Sequence, residues 1–101
     1  MLANKRQNQN RVNKIILALK QARINRGITR YQLSKDTGLS DSSISNIEQL
    51  KQNPTLSTLM EMAVSINFDL PKAIKENYPD LPEDGKDTSR NAGGEEDETL
   101  S

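Results

Sequence analysis

Between Val12 and Ile74 apolar side chains return at every third or fourth position, and no stretch shows the strict alternation of a half-buried strand. Val12, Ile15, Ile16 and Leu19 follow the i, i+3, i+4, i+7 rule, and Ala22 continues the face. An amphipathic helix is predicted there, ending near Gly27, a residue suited to a left-handed C-terminal cap. Lys14, Lys20, Arg23 and Arg26 lie off its main stripe. Thr29, with Gln32 three residues on, forms a capping box and predicts a helix over 30–37 that stops at Gly38. Ser40 caps the next helix, over 41–49, with Ile44 and Ile47 inward; Ser43 at its third position leaves that box incomplete. Pro54 ends the connection. Thr55 caps a fourth helix, whose inward residues are expected to be Leu56, Leu59, Met60, Ala63 and Val64. A last short helix begins at Asp69 or Leu70, where Pro71 suits the first turn, and carries Ala73 and Ile74. The expected fold class is all-α, a compact bundle of five short helices.

Apolar content divides the chain. Residues 12–75 hold 26 hydrophobic side chains, whereas 76–101 hold four: Tyr78, Leu81, Ala92 and Leu100. Only the first stretch can bury enough apolar area to offset its conformational entropy, so 76–101 is expected to be a disordered acidic tail. Residues 1–11, MLANKRQNQNR, are polar, amide-rich and basic, and are expected to form a flexible basic arm. Two readings of that arm stand: a frayed terminus, or a segment that follows a phosphate backbone.

The charge sharpens this division. The formal net charge is zero, from 14 basic and 14 acidic residues. Yet residues 1–75 hold 12 basic and 5 acidic side chains, net +7, and 76–101 hold 2 and 9, net −7. The first 30 residues carry eight Lys or Arg and no carboxylate. Such a split favours an anionic partner for the folded part and a solvated tail. The Lys and Arg of the first helix are either a solvated face or a DNA-backbone contact.

Several chemistries are excluded. There is no Cys and no His, hence no thiol nucleophile, disulfide, zinc finger or imidazole acid–base pair. No glycine-rich phosphate loop is present, and the acids Glu95, Glu96, Asp97 and Glu98 fall in the tail. No apolar run approaches a membrane span, and Met1-Leu2-Ala3 is followed at once by Asn and Lys. A cytoplasmic protein is expected, with no catalytic residue, metal or cofactor.

The informative stretch is 29–48, TRYQLSKDTGLSDSSISNIE. Two short helices are joined through Thr37-Gly38-Leu39-Ser40, where Gly38 supplies a positive φ and Leu39 fills the angle between them. Leu33, Ile44 and Ile47 are expected inside the pair. With Leu19, Arg23, Gly27-Ile28-Thr29 before it and Asn53-Pro54-Thr55-Leu56, Leu59 and Ala63 after it, this stretch resembles the Cro/C1-type (XRE family) helix-turn-helix domain over about residues 15–70. The resemblance implies a five-helix bundle of lambda-repressor-like type, a homodimer on double-stranded DNA with a two-fold-related operator, and transcriptional regulation, most simply repression, in a bacterium or phage. It places helix 41–49 in the major groove.

The same resemblance assigns the DNA-contacting positions. Arg30 stands where the family usually has a Gln that touches a phosphate or outer base, with Tyr31 beside it. Ser40, Asp41, Ser42 and Ser43 form the start of the recognition helix. By helical geometry Ser42, Ser45, Asn46 and Gln49 share a face opposite Ile44 and Ile47. Asn46 can pair bidentately with adenine and is the best candidate base reader; Ser42 and Ser45 are ambiguous ones. Lys51 and Asn53 sit where the family grips phosphate. Asp41 is either a helix-start charge or an acceptor for cytosine or a neighbouring Arg.

Glu48 is read as a structural acceptor for Arg23. Met60 and Met62 are read as core or interface. Departures from the family pattern are Ser34 for the usual Ala and Gln49-Leu50 for the usual Asn-Gly. Leu50 lacks glycine's access to the left-handed region, so the exit loop is expected to differ. The dimer surface is expected around Phe68, Leu70 and Ile74. A different class of function is a protein-interaction module or antitoxin-like protein, in which DNA binding is secondary and a regulatory protein partner uses the domain or its tail.

Overall fold

The computed structural model describes residues 2–82, with side chains from Lys5 onward. Five helices follow one another: α1 (Leu2–Asn25), α2 (Arg30–Thr37), α3 (Asp41–Glu48), α4 (Leu56–Ser65) and α5 (Leu70–Asn77). No strand occurs among the described residues. Ile15, Ile16, Leu19, Leu33, Ile44, Ile47, Met62, Ala63, Ile66, Leu70 and Ala73 make the core, with contributions from every helix. Each large aliphatic side chain buried this way stabilises the fold by about 1.5–3 kcal/mol. α1 packs on α3 and α5, and α2 packs on α3 and α4.

The starts of the helices follow the polar residues that precede them. Thr29 accepts from the Gln32 backbone N–H and the Gln32 side chain accepts from the Thr29 N–H, completing the expected box. Ser40, Thr55 and Asp69 accept from the backbone N–H groups of Ser43, Thr58 and Lys72. Each satisfies a donor that the helix itself cannot.

Three helices end in the same way. Gly27, Leu50 and Asn67 have φ of 70°, 64° and 58°. Behind them the N–H groups of Ile28, Lys51 and Phe68 reach back to the carbonyls of Arg23, Asn46 and Ala63 at 3.1, 2.8 and 2.8 Å. This is the Schellman closure, for which glycine is the unstrained residue and asparagine a tolerated one. Leu50 therefore corrects the expected exit loop: it enters the left-handed region and the turn closes as a glycine would close it. The bonds made by Leu50 and Lys51 to the carbonyls of Ile47 and Asn46 hold it there.

Three further expectations are corrected. Residues 2–11 are not an arm; they continue α1, because no Pro or Gly interrupts Leu2–Asn25 and the far end is tied to other elements. The folded part does not end at 75. α5 runs to Asn77, Tyr78 packs on the core and Asp80 pairs with Arg11 at 2.9 Å. On α4 the inward residues are Met62, Ala63 and half-buried Leu59, while Leu56, Met60 and Val64 are 65%, 50% and 80% exposed. Of the residues expected around the dimer surface, Leu70 is buried in the core, and Phe68 and Ile74 pack against it while staying partly exposed. Residues 83–101, most of the expected tail, lie outside the described part.

Candidate nucleic-acid interface

The turn between α2 and α3 is closed by its own polar groups. Gly38, at φ 80°, donates its N–H to the Ser34 carbonyl at 2.9 Å. The Ser34 hydroxyl donates to the Leu39 carbonyl at 2.6 Å, and Thr37 Oγ1 donates to the Leu33 carbonyl at 2.7 Å while accepting from the Leu39 N–H. Ser34 thus does more than fit where alanine is usual: its hydroxyl fastens the turn. A Cβ at Gly38 would meet no heavy atom within 4 Å, so the demand for glycine is one of backbone conformation, not space.

α3 is anchored along its inner face and at its C-terminal end. Ile44 and Ile47 are fully buried beneath it. At its C-terminal end Glu48, only 2% exposed, accepts from Arg23 Nε at 2.7 Å and Nη2 at 2.9 Å. The third arm of Arg23, Nη1, donates to the Ile28 carbonyl at 2.7 Å. Arg30, exposed at the start of α2, brings its Nη1 to 3.6 Å from the same carboxylate. The pair has the planar two-bond geometry that makes Arg–carboxylate contacts strong and directional. It fixes α3 to α1 and presents Arg30 beside the end of α3.

A helix-turn-helix family model matches residues 19–72, from the second half of α1 into α5. The chain belongs to the XRE-type helix-turn-helix family. No curated protein and no solved structure gave a significant match. Family membership makes the protein a DNA-binding transcriptional regulator of XRE type. It describes a DNA-binding regulatory domain, not a catalytic one.

In this XRE-type domain the expected DNA-contacting residues divide by what they already do. Ser40 and Ser43 are committed to the α3 cap, with Ser40 Oγ also 3.0 Å from Ser43 Oγ. Ser45 Oγ accepts from Gln49 Nε2 at 2.7 Å, so those two act as a joined pair. Asp41 and Ser42 are exposed on the first turn. Asp41 lies where the helix dipole favours a carboxylate. Asn46 is half-buried, and among the described residues its carboxamide has no hydrogen-bond partner. Lys51 is exposed beyond the turn. Tyr31 is 63% exposed, with Lys35 Nζ 5.4 Å from its ring centre.

Asn53 is not free in its loop: Gln9 Nε2 donates to Asn53 Oδ1 at 3.0 Å and Asn53 Nδ2 donates to Gln9 Oε1 at 3.1 Å. Gln9 is the residue that sequence reading missed. The uninterrupted run of helix-compatible residues from Leu2 was the available signal. Among the described residues no group of acids could hold a metal, and no helix is long and apolar enough to cross a membrane.

Proposed function

We propose that the protein is a repressor that binds a two-fold-related operator as a homodimer, with α3 lying in the major groove. The observation that carries this reading is the outer face of α3. Ser42, the Ser45–Gln49 pair and the unpartnered Asn46 carboxamide offer uncharged donors and acceptors, while Arg30 and Lys51 stand at the margins with positive charge. This is the division of labour that DNA reading requires: amides and hydroxyls discriminate base edges, and cations hold phosphates whatever the sequence. Asn46 reads adenine. Arg30 and Lys51 set the register on the backbone. The rigid seat of α3, made by the Arg23–Glu48 pair, supports the reading because a base contact is worth most when its helix cannot drift.

Selection from a random duplex library at about 0.15 M salt tests it. Enrichment of an inverted repeat with half-sites about one helical turn apart is the expected result. Binding that enriches no site and collapses as salt rises would leave only the basic surface engaged and would overturn the proposal. Whether an enriched operator lowers transcription is read from a promoter fusion carrying it.

A further inference from the structure

Among the described side chains, Val12 is the first apolar one of α1 packed against the core, so the helical turns before it extend past that contact. A polar helix of that length is not stable alone in water. Here three ties hold it. Asn8 receives the Tyr78 hydroxyl on its carbonyl at 3.2 Å and on its side chain. Arg11 pairs with Asp80 at 2.9 Å and lies 4.8 Å from the centre of the Tyr78 ring. Gln9 exchanges two hydrogen bonds with Asn53. The first two fasten α1 to the segment after α5. The third fastens it to the loop that follows α3, the loop that also carries Lys51.

At about 100° per residue, Lys5, Gln9 and Arg6 fall in one arc of roughly 100°, with Gln9 between the two cations. The side of the projection that meets the Asn53 loop is therefore the side that carries Lys5 and Arg6, about one turn further out. Both are exposed, and among the described residues neither has an ion-pair partner. No carboxylate occurs anywhere in α1 to neutralise them. Lys14 is exposed too, but on the far side of the helix from Gln9.

We infer that the projecting end of α1 is a second phosphate-binding surface, in which Lys5 and Arg6 hold the DNA backbone next to the loop after α3. The inference rests on the reading that α3 enters the major groove. With α3 there, the loop at its end meets the phosphates that border the groove, and the Gln9–Asn53 tie sets the α1 cations along the same border. The contact is sequence-independent: it adds affinity and counterion release without adding readout.

The test uses the full chain, titrated over a range of salt onto an unrelated duplex and onto the site recovered by selection. The double variant Lys5→Gln with Arg6→Gln keeps good helix formers at both places. Its affinity is expected to fall by the same factor on both duplexes, and its slope of log K against log salt to become shallower by about 1 to 2. Lys14→Gln, the control on the other side, should leave the slope nearly as in wild type.

An unchanged slope in the double variant, or one matched by Lys14→Gln, overturns the inference while wild-type binding leaves the α3 reading standing. Tighter binding by the double variant also overturns it, since the two cations would then serve the acidic residues beyond 82 and not DNA. A wild-type chain that binds neither duplex overturns both readings together. Circular dichroism of each variant confirms that helix content is retained.

Discussion

Arg23 and Glu48 face each other through two parallel hydrogen bonds, 2.7 and 2.9 Å long, with the carboxylate 2% and the guanidinium side chain 9% exposed. The pair joins α1 to the end of α3 at a place water hardly reaches. Removing one partner strands a buried charge, so Glu48→Ala should lower unfolding stability by about 3–5 kcal/mol. Arg23→Ala should cost at least as much, because it also abandons the Ile28 carbonyl. Replacing both, with Arg23→Met and Glu48→Leu, should recover most of the loss. Urea denaturation of the three variants measures this; single variants costing under about 1 kcal/mol would mean that the pair does not secure α3.

Leu50 sits at φ 64°, where a side chain crowds the following carbonyl. Truncation to alanine and to glycine removes the same apolar contacts but leaves the crowding only in alanine. Leu50→Gly should therefore be more stable than Leu50→Ala by about 1 kcal/mol, although glycine is ordinarily the weaker residue. Thermal unfolding compares the two, and alanine equal to or better than glycine would show that the turn is not left-handed in solution.

Asn46 and Lys51 should fail in different ways. Asn46→Ala should erase the preference at one base position, a discrimination of about 1–3 kcal/mol, and leave weak binding to unrelated duplexes intact. Lys51→Ala should weaken every duplex alike and make the salt slope shallower by about 1. Repeating the library selection with each variant distinguishes them. An Asn46→Ala chain that enriches the wild-type site unchanged removes Asn46 from the reading face.

Met60 and Met62, two residues apart on α4, have opposite fates. Met62 is fully buried and Met60 is half exposed. Met62→Ala should cost about 2–5 kcal/mol through lost contacts and a cavity, and Met60→Ala well under 1 kcal/mol. Similar losses at both positions, measured by chemical denaturation, would contradict the observed orientation of α4.

Part of this architecture is legible in the amino-acid sequence. Thr29 with Gln32, Ser40, Thr55 and Gly38 speak through local chemistry, a cap or a positive φ, and local chemistry is written in neighbouring residues. Glu48 as the acceptor of Arg23 is implied by the family resemblance, and two hydrogen bonds join the pair. α4 was ambiguous because its apolar residues cover more than half of its circumference, and no periodicity says which part of so wide an arc meets the core. Leu50 adopts the left-handed region at an intrinsic cost of about 1–2 kcal/mol, offset by the two hydrogen bonds that close the end of α3, which residue type alone does not announce.

By itself, then, the order of residues determined five helices, most of their boundaries, the helix-turn-helix and the face of α3 that turns outward, since each depends on contacts within about four positions along the chain. Tertiary structure decided the side of α4 that faces inward and secured the reach of α1, which the uninterrupted run from Leu2 permits but does not enforce. Gln9 meets Asn53, Arg11 meets Asp80 and Asn8 meets Tyr78 only once the helices have packed. A polar helix end has no apolar pattern to announce it; partners 44, 69 and 70 residues away stabilise it, and only the fold brings them within hydrogen-bonding distance.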